Sequence, residues 1–198
     1  MLEPKYKRIL LKLSGEAISG SDGIIDFDFL DRIAATLVEI SAAGVETAVI
    51  FGAGNIWRGR QGGEMNRVTA DRMGMLATVI NSLAAKDAVE RAGGKAEVYT
   101  STDTAGMLRA IEIGADAFLL AKNVDGIYDR DPKEGNAKLF DEIGYMDMVK
   151  LGLRGIDLTA SAMGAEFGPP AVAFRLADVE DIKRAVEGKG RGTVIVRN

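Results

Sequence analysis

Short apolar runs and longer helical repeats alternate along this chain, and the alternation predicts its elements. Lys7–Leu13 has strand length and centres on Ile9, Leu10 and Leu11. Leu30, Ile33, Ala34, Leu37 and Ile40 then recur at helical spacing and predict a helix over Phe29–Ala43, capped at Asp28 or just before it and stopped by Gly44. Ala48–Phe51 reads as a second strand. Met65, Val68, Leu76, Val79, Ile80, Leu83 and Val89 trace a long helix reaching Ala92. Ala96–Tyr99 is expected as a short strand, Thr104–Ile113 as a helix, Ala115–Ala121 as a strand and Ile143–Leu151 as a short helix. Asp157 is a natural cap for a further helix that Gly168-Pro169-Pro170 terminates. Ala171–Phe174, Val179–Val186 and Gly192–Val196 complete the pattern as strand, helix and strand. Strands alternating with helices point to an α/β domain with a largely parallel sheet and ligands at the carboxyl ends of its strands.

Several strand ends carry candidate chemistry. Ala48–Phe51 runs into Gly52-Ala53-Gly54-Asn55, with Arg58 close behind. Glycines let backbone N–H groups approach an anion, and arginine adds a planar donor fork, but tight turns also use glycine for purely structural reasons. The spacing is neither GxGxxG nor that of a P-loop. Lys12 ends the first apolar run, before Leu13-Ser14-Gly15. A lysine there is either solvated at the strand's edge or neutralised by something anionic beside the turn. Asp71 lies in the first turns of the long helix, as a dipole partner or a ribose acceptor. Thr100-Ser101-Thr102-Asp103 is a set of helix caps or a second phosphate site. Asp125-Gly126 and Asp131-Pro132 are turn chemistry, or with Tyr128 the lining of a base or ribose pocket. The methionines that open the long helix suit either core packing or a subunit contact.

Composition narrows the chemistry. The 198 residues suit one substantial core, and 47% apolar with 27% charged residues describes an ordinary globular protein. A net charge of -4 argues against nucleic acid as the main partner. No apolar run is long enough to span a bilayer, and the first fifteen residues do not read as a signal peptide, so a cytoplasmic location is expected. There is no Cys and no His. Catalysis would therefore fall to Lys, Arg, carboxylates, hydroxyls and amides, a set suited to phosphoryl transfer, which depends on positioning and charge stabilisation.

Five stretches together carry a resemblance: KLSGE at Lys12–Glu16, GAGNIWRG at Gly52–Gly59, MNRVTADRMGMLATVINSLA at Met65–Ala84, STDTA at Ser101–Ala105 and NVDGIYDRDP at Asn123–Pro132. In this order they resemble the bacterial uridylate kinases of the amino acid kinase superfamily, over Lys7 to Val196. The resemblance implies a three-layer α/β/α sandwich and Mg²⁺-dependent transfer of the ATP γ-phosphoryl group to UMP. It also implies a homo-oligomer, usually a hexamer built as a trimer of dimers, with GTP and UTP as effectors. Roughly residues 1–100 would form the acceptor side of a single domain, and roughly residues 101–198 the ATP side. By position, Lys12 matches the lysine bridging the two phosphates, held in place by Asp103 and Asp157. Lys12, Leu13, Ser14, Gly15, Ala53, Arg58, Asn123, Tyr128 and Asp131 match ATP-binding positions. Gly52, Ala53, Gly54, Asp71, Ser101 and Thr102 match UMP-binding positions. No residue is expected to bind metal directly, Mg²⁺ arriving on the phosphates. One departure stands out: the family carries a few dozen more residues before STDTA, including a GTGNP-type acceptor loop, whereas here Tyr99-Thr100 joins directly to Ser101-Thr102.

Overall fold

The strand that opens the chain, β1 (Arg8–Leu13), sits inside the sheet, and its alternation divides the core. Ile9, Leu11 and Leu13 pack on one face, in a cluster with Leu30, Ile33 and Leu37 of α1 (Phe27–Ala42) and Ile182 and Val186 of α6 (Glu180–Val186). Leu10 faces the other way, into a cluster with Met107 and Ala110 of α3 (Asp103–Glu112), Met148 of α4 (Tyr145–Leu151) and Ala160 of α5 (Leu158–Phe167). Helices on both faces of one sheet make the three-layer α/β/α arrangement that the alternating pattern implies. This computed structural model describes residues 2–20, 24–57, 63–98, 103–153 and 155–197.

Among those residues the sheet has six strands, in the order β2-β1-β3-β5-β6-β4. β2 (Glu46–Phe51), β1, β3 (Ala117–Lys122) and β5 (Ala171–Arg175) run parallel, with Leu13 opposite both Phe51 and Ala121. β6 (Thr193–Val196) pairs antiparallel with β5, and β4 (Glu142–Gly144) pairs parallel with β6. The long helix α2 (Arg67–Arg91) starts at Asn66, whose side chain accepts from the N–H groups of Val68 and Thr69.

Two expectations need correction. Ile143–Leu151 is not one helix: Glu142, Ile143 and Gly144 pair with Val194, Ile195 and Val196, and only Tyr145–Leu151 is helical. A three-residue apolar run at a sheet edge has no period of its own, so its partner decides its state. Ala96–Tyr99 does not form a strand over its described residues, 96–98. With only Ala96 and Val98 to bury after a double-glycine turn, so short a run gains little from pairing. Its side chains border a cleft of about 860 Å³ along the outer edge of β2. Among the described residues β2 pairs only with β1.

The amino end of β1 is anchored by Asp116, just ahead of β3. Its carboxylate accepts from Lys7 N–H at 2.8 Å and Arg8 N–H at 2.9 Å, and these two bonds hold its pKa below the ordinary aspartate value. A carboxylate with a depressed folded pKa contributes stability above its unfolded pKa, about 4, and loses it as pH falls through the folded value. Denaturation midpoints measured from about pH 5 downwards should therefore fall more steeply in the wild type than in Asp116→Asn, because the variant has no charge to lose. Parallel acid limbs in the two chains would remove Asp116 from the acid response.

Candidate functional site

The two glycine turns meet at the carboxyl end of the sheet. Gly52 N–H donates to the Leu13 carbonyl at 2.8 Å, continuing the β1–β2 ladder past the strands. Beyond it the chains touch so closely that a Cβ on Gly15 would lie 2.6 Å from Gly54 N and 2.7 Å from Gly52 O. Ser14 precedes the short 3₁₀-helix Gly15–Ile18 and makes no capping bond to it, so its hydroxyl is left for other use. Leu13 is fully buried and offers this end of the sheet only its backbone. The N–H groups of Ala53 and Gly54 donate to no acceptor among the described residues. The turn closes with Ile56 and Trp57 N–H on the Ala53 carbonyl, and the Trp57 indole N–H bonds Ala70 O on α2 at 2.9 Å.

Side-chain alternation puts Lys12 on the same face as Leu10, the face covered by α3 and α5. α3 leads through a short turn at Gly114 into the amino end of β3, and α5 leads through Gly168-Pro169-Pro170 into β5. Both helices therefore start at the carboxyl end of the strands, where Lys12 lies, and both aim positive dipole ends that way. Asp103 is the first residue of α3. Asp157 caps α5, accepting from Ala160 N–H at 2.7 Å, and both its oxygens accept from the Thr104 hydroxyl at 3.0 Å. The two helix starts are thus joined beside the lysine's strand end.

At the end of β3, Asn123 donates to Glu16 at 3.0 Å and ties the third strand to the Gly15 turn. The Tyr128 hydroxyl donates to Asp125 at 3.1 Å, and burial together with this carboxylate raises the phenol's pKa. Asp131 caps the short turn Pro132–Glu134 through Lys133 N–H. Asp71 stands apart, exposed on α2 and paired with Arg67 at 3.0 Å. Arg58, Ser101 and Thr102 lie outside the described residues.

Under the site the structure adds a partner for the Asn55 side chain that the sequence pattern does not reveal. Asn81, on the inward side of α2 with Ala77, Ala85 and Ala88, is fully buried and bonded to Asn55 of the glycine turn. An amide among small apolar residues on a buried helix face was the available signal, since a buried polar group needs a partner.

Comparison with known proteins places this geometry. The sequence matches the model of the amino acid kinase family in two overlapping stretches, residues 7–102 and 78–172. The chain belongs to the amino acid kinase family. Its fold superposes on UMP kinase from Ureaplasma parvum with a TM-score of 0.87 at 28% identity, covering 98% of this chain and 100% of that one. UMP kinase from Bacillus anthracis gives a TM-score of 0.85 at 28% identity, over 99% of this chain and 98% of that one. The fold alone is also shared with isopentenyl phosphate kinase, at 21% identity and a TM-score of 0.66 over 96% of this chain and 100% of that one.

Proposed function

We propose that this chain is a phosphotransferase that moves the γ-phosphoryl group of ATP to UMP, giving UDP for pyrimidine nucleotide synthesis in the cytoplasm. The observation that carries the reading is the meeting of three features at one end of the sheet: the interlocked Gly15 and Gly52–Gly54 turns, Lys12, and the starts of α3 and α5. In this reading Lys12 bridges the two phosphates, with Asp103 and Asp157 orienting it. Ser14, Gly15, Ala53 and Arg58 bind the triphosphate, and Asn123, Tyr128 and Asp131 bind the rest of ATP. Gly52, Ala53, Gly54, Ser101 and Thr102 meet the UMP phosphate, and Asp71 the ribose. Mg²⁺, carried in on the phosphate oxygens, would neutralise charge as the phosphoryl group moves. The acceptor is itself an ionised phosphate, so no general base is needed, and a site without His suffices. The 28% identity to two UMP kinases supports the choice of acceptor. A coupled assay with ATP, Mg²⁺ and each of UMP, CMP, dCMP and isopentenyl phosphate tests it. Turnover should be fastest with UMP, and preference for another acceptor would move the chain to a sister activity.

One observation favours a second reading, a nucleotide-binding protein without turnover. The family match breaks into two pieces that overlap up to residue 102, where an acceptor loop is expected and missing. The outer edge of β2, which borders the same cleft as residues 96–98, is unpaired among the described residues. Calorimetric binding of ATP with no product from any acceptor would establish it.

The same reading expects a homo-oligomer, a hexamer built from dimers, responsive to GTP and UTP. Val68, Met75, Leu76, Ile80 and Leu83 form an apolar flank along α2, each more than half exposed. A contiguous stripe of this kind suits a subunit contact. Leu76→Glu with Ile80→Glu should reduce the mass measured by light scattering to that of a smaller species. An unchanged mass would move the contact elsewhere.

A further inference from the structure

The Asn81–Asn55 pair uses every amide hydrogen it has. Asn81 Nδ2 donates to Gly52 O at 2.7 Å and to Asn55 Oδ1 at 2.8 Å. Asn55 Nδ2 donates to Asn81 Oδ1 at 3.0 Å and to Ile24 O at 2.9 Å. Asn81 is fully buried, and its inward neighbours on α2 are Ala77, Ala85, Ala88 and Thr78, whose hydroxyl bonds Met75 O on its own helix, so packing alone asks for no amide here. What the amide fixes is the Gly52 carbonyl. That peptide is trans, so holding its C=O towards α2 turns the following N–H, that of Ala53, to the opposite side. α2 packs with the α1 face of the sheet, and the opposite side is the face of Lys12. The Ala53 and Gly54 N–H groups have no protein acceptor among the described residues. Asn55 Oδ1 also lies where a Gly15 Cβ would fall, so the same pair sets the spacing between the two glycine turns.

We infer that Asn81 is a positioning residue. Acting through the Gly52 carbonyl and Asn55, it pre-aims the free amides of Ala53 and Gly54 at the acceptor's phosphate. The inference rests on the phosphotransferase reading above. Donors aimed before the ligand arrives need no reorganisation on binding, which is where their advantage over water lies.

The test uses the full chain, with Asn81→Leu matching the side chain's size without donors, and Asn81→Asp replacing two donors by acceptors. Trp57, the only tryptophan and two residues beyond Asn55, reports binding by fluorescence. The ratio of UMP to uridine affinity should fall about tenfold or more in either folded variant, with uridine affinity itself little changed and kcat also reduced. A structural role alone would weaken both ligands together and leave the ratio intact, and that result overturns the inference. Since a variant can fail to fold, the wild type carries a second measurement. On adding UMP, the backbone amide signals of Ala53 and Gly54 should shift while the side-chain amide signals of Asn81 stay in place. Unmoved Ala53 and Gly54 signals at saturating UMP overturn the inference. Should the wild type neither bind nor phosphorylate any nucleotide, the parent reading fails and this inference with it. Activity in the wild type beside an unchanged UMP-to-uridine ratio in the variants rejects this inference alone.

Discussion

Lys12→Met is expected to lower kcat for phosphoryl transfer by about 10²–10³-fold or more, with little change in melting temperature. The size follows from what the site leaves to electrostatics. With no His or Cys in the chain, and an acceptor that is already an anion, the barrier is chiefly the cost of bringing two phosphates together while charge moves between them. For a lysine inside the sheet, opposite Ile50 on one side and Leu120 on the other, the strand fixes where the side chain starts and which face it leaves from. A donor delivered from a fixed backbone position is most effective where charge develops. Methionine keeps the length and the apolar stem, so the fold should hold. Steady-state kcat beside a thermal melt separates the two effects, and near-wild-type turnover would remove Lys12 from the mechanism.

Gly15→Ala should be nearly as damaging, by a different route. Its methyl group would fall 2.6 Å from one backbone atom and 2.7 Å from another, both in the turn opposite, and closer still to Asn55 Oδ1. Backbone held by a strand ladder and by Asn81 cannot swing aside as a surface side chain would. The two turns must part, at a cost of about 1–3 kcal/mol for overpacking. For a chain of this size that lowers the melting temperature by roughly 2–12 °C. Moving the turns apart also spoils the alignment of donor and acceptor, where a shift of about 1 Å can cost on the order of 10²-fold in rate. Gly20→Ala is the control, because its added methyl meets nothing closer than 3.6 Å. Equal stability and activity in the two variants would contradict the interlocked geometry.

The features legible from sequence were those with a local physical cause. Apolar runs gave the strands β1, β2, β3, β5 and β6. The helical repeat gave α1 and α2, although α1 starts two residues earlier than expected, with Asp26 as its cap. Asp157 was readable as a cap because a carboxylate before a helix has an amide to accept from, and Ala160 N–H supplies it. The glycine turns were legible as chemistry from their residues, and as parts of one pocket through the family resemblance. Their contact depends on β1 and β2 being adjacent and in register, which neither turn encodes alone. The strand Glu142–Gly144 was missed because its state is set by β6, fifty residues later in the chain. The Asn55–Asn81 pair needed both the turn and the helix face in place before either amide had a visible purpose.

Phosphoryl transfer between two nucleotides at the carboxyl end of this sheet is the central expectation. Incubating the chain with γ-labelled ATP, Mg²⁺ and UMP, and separating the products, tests it most directly. Label should appear in UDP with the wild type and Gly20→Ala, and should be nearly absent with Lys12→Met. Label that remains in ATP, or is released as inorganic phosphate at the same rate with and without UMP, would contradict it.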